Sequence, residues 1–235
     1  MDIFKRFQGI FFNPKLTMKV ISEKPVWVGA LIILLIAWAL FSYVTNPYLQ
    51  KDTVQLLESS DKLRERMGED RFNQMIERTK NPTKARVLLS NFLQKPATLL
   101  IGFLFSSLII LAMSRMFSTT GNYKQVLSAV LHANFIDKIL GNALRLILII
   151  TRKSFMQTTT SLALFFPKLE MTSPAFIILS QIDFFQLWLF GVLGFGLSFV
   201  FKIELKKALI LSYGFWFLKS LLYIAYALIS IRFIV

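Results

Sequence analysis

The sequence predicts an all-α fold, a polytopic membrane helix bundle of about five transmembrane helices with a small helical extramembrane cap. Three observations predict it. Apolar residues make up 55% of the 235-residue chain and charged residues 17%, against about 45–50% and about 25% in ordinary soluble domains. The apolar residues, 24 Phe among them, fall in long uncharged blocks that a soluble core of this size cannot hide. Several blocks have the roughly 20-residue length that a helix needs to cross about 30 Å of hydrocarbon. A disordered chain, which needs low hydrophobicity, is excluded on the same grounds. The net charge of +14 would fit a nucleic-acid surface if it were gathered on one face; here it is divided among the segments between the blocks.

Residues 1–25 form an N-terminal segment with five basic groups and no early apolar core. A cleavable signal peptide wants its apolar region sooner and small residues after it, so the first span is expected to be retained. That span covers 26–44 and carries no charge, with Trp27 and Tyr43 at interface level and Trp38 deeper. Residues 45–96 hold ten Lys/Arg and seven Asp/Glu and read as the cap. Val54, Leu56, Leu57, Leu63 and Met67 mark one amphipathic piece, and Phe72, Met75 and Ile76 a second beyond Gly68. Val87, Leu88, Phe92 and Leu93 mark a third beyond the Asn81-Pro82-Thr83 break. A second span covers 97–113, started by Pro96, a residue suited to a first helical turn.

The third span, 126–150, contains His132, Asp137, Lys138 and Arg145. Each charge at mid-bilayer costs about 2.5–3.5 kcal/mol on insertion scales. An interfacial helix followed by a re-entrant piece is the alternative course. Asp137 and Arg145 stand eight residues apart, about 12 Å along a straight helix. Direct pairing is therefore not expected, and Asp137 would more readily meet a cation from another span, such as Lys219. The simpler reading is that these groups lie near an interface and snorkel. His132, one turn before Phe135, reads as a packed histidine before it reads as a proton switch. Residues 152–183 are too polar and broken to span. Asp183 then caps a fourth span, 184–201, by accepting from its free N–H groups, and a fifth covers 208–231, interrupted by Lys219.

Placing the N-terminus in the cytoplasm leaves +7 on that side, from 1–26, 114–125 and 202–207, and +5 on the other. The excess favours this orientation by the positive-inside rule, although the raw Lys/Arg count, inflated by the self-neutralised cap, does not. Lys202, Lys206 and Lys207 form a basic cluster that sets orientation or attracts anionic lipid headgroups.

Chemistry is sparse. With no cysteine and one histidine, disulfides, thiol catalysis, Cys-ligated zinc and multi-histidine metal sites are excluded, and no cofactor is called for. The sequence has no H-E-x-x-H, phosphate-loop or G-x-S-x-G pattern. The glycines of Gly191–Gly196 lie inside an uncharged span, where small residues let helices approach.

Four stretches together resemble one family. They are IFFNPKLTMKVISEKP with Asn13-Pro14 before the first span, and GNYKQVLSAVLHANF from Gly121. Then come IDFFQLWLFGVLGFGLSFVFKIELKKALIL with Asp183, Phe185, Trp188 and Gly194 before a basic turn, and Trp216 in the last span. In order and spacing the chain is similar to the Yip family, five-span membrane proteins named for interacting with Ypt/Rab-type GTPases, and most to its bacterial-type members. One departure is Phe135-Ile136-Asp137-Lys138, where many relatives carry a proline. The resemblance implies a cytoplasmic N-terminus, residence in a bacterial inner membrane and no enzymatic activity. Rab binding does not carry over to a bacterial-type member.

Two functions are compatible with these residues. One is a non-enzymatic scaffold or assembly and trafficking factor, bound to the lipid bilayer and its anionic lipids and to other membrane or envelope proteins or copies of itself, with no nucleic-acid partner. The alternative is a transporter or lipid-handling permease using the polar residues of the third span. An intramembrane enzyme is a weaker third reading.

Overall fold

A helical hairpin opens the computed structural model, which describes residues 1–156 and 160–234, the side chains of the last two excepted. Its arms are α1 (Ile3–Phe12) and α2 (Pro14–Glu23). The Asp2 carboxylate caps α1 by accepting from the Lys5 amide at 2.8 Å. Asn13 ends α1 and precedes Pro14, whose missing N–H costs nothing in a first turn. The arms are close enough that a Cβ on Gly9 would overlap Thr17. Arg6 is buried and donates to the carbonyls of Met1 and Lys24 at 3.2 and 3.1 Å, fastening the hairpin to the approach of the first span. The hairpin packs into the bundle: Ile10, Met18 and Ile21 are fully buried, and the rings of Phe7 and Phe11 meet Phe135 and Trp188 edge-on.

Helix α3 (Val28–Glu58) runs 31 residues without a break, past Pro47 and through the expected boundary between span and cap. At about 1.5 Å per residue it is about 46 Å long, so one rod joins the two regions. The cap continues as α4 (Asp61–Met67), α5 (Glu69–Lys80) and α6 (Lys84–Leu89). Ser60 and Thr83 cap α4 and α6 with their hydroxyls, and Gly68 turns the chain at φ 78°. The α5 helix packs on α3 with Phe72 and Ile76 buried. The Lys80 ammonium reaches Glu58 at 2.6 Å, and Gln50 donates to the Lys80 carbonyl at 2.6 Å.

A π-helical turn over Ser90–Gln94 joins α6 to α7 (Lys95–Ser114), so the second span is continuous with the cap back to Lys84 rather than starting at Pro96. Pro96 lacks the N–H that Phe92, four residues earlier, would receive in an α-helix, and its ring crowds that carbonyl. The wider turn absorbs both defects.

The third predicted span is built from three pieces: α8 (Tyr123–Ala133), a π-helical turn at Ile136–Gly141, and α9 (Asn142–Arg152). Asn122 and Gln125 form a reciprocal capping box at the start of α8. After a 3-10 turn at Leu162–Phe165 and the short α10 (Pro174–Ser180) come α11 (Phe184–Phe201) and α12 (Leu205–Ile234), with Lys202 at φ 52° between them. Among the described residues the only β feature is an isolated bridge, Ser161 to Asp183. Among the described residues, four helices are long and apolar enough to cross a membrane: Val28–Glu58, Lys84–Ser114, Phe184–Phe201 and Leu205–Arg232.

The centre of the bundle is α8, in which every residue from Val126 to Ala133 is buried, as expected of a helix enclosed on all sides. Helix α11 packs against α12, α2 and α8. Gly196 admits Ala129 and Met18, and Gly194 admits Leu209. At one end of the bundle the Phe201 carbonyl accepts from Ser118 and Thr120 hydroxyls, both at 2.7 Å. At the other, α12 touches α10 and α4. The base of the hairpin, where the Ser22 carbonyl accepts from Gln125 at 2.8 Å, lies toward the Lys202 end, its Phe11 reaches Trp188 near the start of α11, and the far end of α12 lies toward the cap.

Candidate functional site

The π-helical turn brings together charges that a straight helix would hold apart. The Asp137 carboxylate is 1% exposed and meets two cations, Lys138 at 2.8 Å and Arg145 at 2.9 Å. The expected 12 Å separation of Asp137 and Arg145 fails because the wide turn between them changes the helical phase, and the Arg145 side chain folds back along it. Arg145 Nη1 also donates to the Asp137 carbonyl at 3.4 Å and to Asn142 Oδ1 at 3.0 Å. Its Nη2 donates to both Asp183 oxygens at 3.2 Å, its Nε donates to the Thr160 hydroxyl at 3.1 Å, and its guanidinium lies 5.6 Å from the centroid of Phe185.

Asp183 performs the capping role its position predicts, accepting from the Phe185 and Gln186 amides at 2.9 and 3.1 Å. It also accepts from the Thr160 hydroxyl. The network thus joins the third span, the loop before α10 and the first turn of α11. Asp137 is enclosed rather than snorkelling, and its pairing with Lys219 is not observed. Lys219 instead donates to Gln186 Oε1 at 2.9 Å and lies 5.2 Å from the Phe190 ring centroid. Lys138 lies 5.0 Å from the Trp38 ring centroid. Breaking a buried pair by removing one partner costs about 3–5 kcal/mol, because the other charge is left uncompensated.

The remaining predicted positions are distributed. His132 is fully buried in α8. Its Nδ1–H donates to the Ser128 carbonyl at 2.7 Å, its ring meets Phe135 edge-on, and its Nε2 has no hydrogen-bond partner among the described residues. That tautomer follows from the carbonyl, which can only accept. Asn13 and Pro14 form the hairpin turn. Gly121 stands at φ 80°, where a Cβ would lie 2.7 Å from Phe201 and 2.9 Å from Val200. Trp188 packs on Phe11 and Phe184, and Trp216 on Tyr213. Lys202, Lys206 and Lys207 are exposed at the opposite end of α11 from the ion pairs.

Sequence reasoning missed the anchors Asn142, Thr160 and Gln186, and it missed Asp52. The Asp52 carboxylate is buried and accepts from the Ser154 hydroxyl at 2.8 Å and from the amides of Phe155 and Met156 at 2.7 and 2.8 Å. This holds the turn after α9 against α3. An acidic residue on a predicted solvated helix carries no local signal of such a role.

These features define a polytopic, all-helical integral membrane protein in which Asp137, Lys138, Arg145 and Asp183 form a paired network. A family model described as the Yip1 domain matches residues 9–227. The chain belongs to the Yip family. No curated protein and no solved structure matches it.

Proposed function

We propose that this chain is a non-enzymatic membrane scaffold or assembly factor of the bacterial-type Yip family. It resides in the cytoplasmic membrane with its N-terminus and the Lys202–Lys207 cluster in the cytoplasm and its cap and C-terminus outside. The observation that carries this reading is the filling of the bundle below the charged network. The charged groups of the third span are gathered toward the Asp183 end, and toward the Lys202 end α8 occupies the centre with eight consecutive buried residues, Val126–Ala133, of which only Ser128 and His132 are polar. A transporter working through the third span would need a polar route where α8 is packed. The rigid cap, carried on α3 and locked by Asp52 and Lys80, supplies a surface for other membrane or envelope proteins.

Mild-detergent extraction followed by affinity isolation of the full chain should recover at least one other membrane protein in stoichiometric amount. Recovery of this polypeptide alone, as a monomer, overturns the scaffold reading. Sidedness has its own test, since the chain contains no native cysteine. Single substitutions Glu65→Cys and Phe165→Cys should react with an impermeant thiol reagent from outside, and Thr119→Cys and Lys206→Cys only after the membrane is opened. Labelling of Glu65→Cys and Thr119→Cys from the same side overturns the orientation.

A further inference from the structure

Between α7, the third span, α11 and α12 lies a cavity of about 180 Å³ whose polar lining is Lys138, Lys219, Asn134, Gln186 and Ser106. The rest of its wall is apolar. Against about 30 Å³ for a liquid water, it has room for a phosphate group and part of its substituent.

Charge in and around the cavity does not balance. Asp137 is shared by Lys138 and Arg145, and Asp183 is engaged by Arg145 and by the amides of α11. Two carboxylates therefore face three cations, Lys138, Arg145 and Lys219. Lys219 is the cation left over. Among the described residues no carboxylate lies within ion-pair distance of it, and one of its three donors is spent on the neutral Gln186.

The cavity also lies at a defined depth. Helix α11 has 18 residues, about 27 Å, close to the hydrocarbon thickness. Gln186 is in its first turn, so the polar end of the cavity sits where hydrocarbon gives way to headgroups, while its apolar wall runs inward as far as Leu193. Lys219 stands 14 residues into α12, at about the same height from the other end. It is exposed on the outer face of the bundle, as are Phe217, Leu218 and Leu222 around it. The excess cation thus faces lipid rather than a water-filled interior.

We propose that this cavity binds the phosphate of an anionic phospholipid, entering laterally from the leaflet at the Asp183 end, with Lys219 as the main charge partner and Lys138, Asn134 and Gln186 around it. A zwitterionic lipid fits less well, because its own ammonium would meet Lys138 and Lys219 with no free carboxylate to receive it. The site is separate from the Lys202–Lys207 cluster and independent of the scaffold reading.

The test uses the purified full chain in detergent, supplemented with equal phosphatidylglycerol and phosphatidylcholine, with bound lipid read by native mass spectrometry. A second arm offers inorganic phosphate without lipid. Wild type should retain phosphatidylglycerol over phosphatidylcholine, and Lys219→Gln should lower that preference about fivefold, the scale of one lysine near a lipid surface. Lys219→Arg should keep it, as should Lys62→Gln in the cap. Should Lys219→Gln not fold, wild type alone decides, since phosphatidylglycerol should raise its apparent melting midpoint above that in phosphatidylcholine. Equal retention of the two lipids, an unchanged preference in folded Lys219→Gln, or equal midpoints in the two lipids overturns the proposal. A Lys219-dependent response to inorganic phosphate as large as that to the lipid overturns the lipid assignment in favour of a free anion.

Discussion

The third span has two halves of opposite construction. Helix α8 is buried on every side and is held by shape: Gly196 makes room for Ala129, and Val126, Leu131 and Ala133 are fully buried. Beyond Ala133 the helix widens into a π-helical turn, and Asp137, Lys138, Arg145 and Asp183 hold it by charge. The two kinds of cohesion fail differently. A packed apolar half is damaged by an added atom, because nothing nearby can move aside cheaply. A paired half is damaged by a removed group, because the surviving charge stays buried.

The most severe expected lesion is in the charged half. Asp137→Ala leaves Lys138 and Arg145 without their shared anion, and the loss should be about 3–5 kcal/mol, seen as a large fall in the apparent melting midpoint in detergent. Replacing Arg145 with Met and Lys138 with Met in the same chain should recover much of the loss. Simple additivity between Asp137→Ala and the two Met substitutions taken together would mean that this half is not held by charge.

Next is the added atom. Gly121→Ala puts a Cβ against Phe201 and Val200 from a left-handed backbone. Strain of about 1–2 kcal/mol for that backbone adds to overpacking of about 1–3 kcal/mol. A midpoint within a degree of wild type would show that the Lys202 end is looser than its packing implies. Smaller again is Asp52→Ala, which removes a charged acceptor shared by three donors and should cost about 1.5–3 kcal/mol. Its signature is local: limited proteolysis should quicken near residues 153–156 while the spans stay protected. The smallest effect is expected at His132, which with Ser128 is one of two polar side chains buried in the packed half with an atom that has no hydrogen-bond partner among the described residues. His132→Leu should change stability by less than about 1 kcal/mol, because the helix carbonyl of Ser128 keeps its backbone partner. A large loss of function with stability intact would give His132 a chemical role that packing does not require.

The parts of the fold that were legible rest on local rules. The apolar blocks that begin near residues 26, 97, 184 and 208 are long enough that only a membrane can hide them. Asp183 before an apolar run is a helix cap by its chemistry, and Gly68 and Asn81-Pro82-Thr83 punctuate the cap where backbone freedom and a missing N–H demand it. The parts that were not legible depend on contacts distant in sequence or on helical phase. The π-helical turn at Ile136–Gly141 has no local signal, and without it Asp137 and Arg145 look unpairable. Arg6 and Asp52 look like ordinary solvated charges on amphipathic helices until the structure places carbonyls around one and amides around the other. The N-terminal hairpin is similar: its sequence shows an Asn-Pro turn but not that Met18 and Ile21 enter the core beside α8 and α11.

By itself, then, the sequence determined that the chain is an all-helical membrane protein of the Yip family and where its apolar blocks lie, because hydrophobic length and helix punctuation act within a few turns of the chain. The tertiary structure alone decided which charges meet. A cation in a span is offset only if a carboxylate comes within about 3–4 Å. That distance is set by helical phase, which brings Arg145 to Asp137, and by helix packing, which brings it to Asp183 and leaves Lys219 with Gln186.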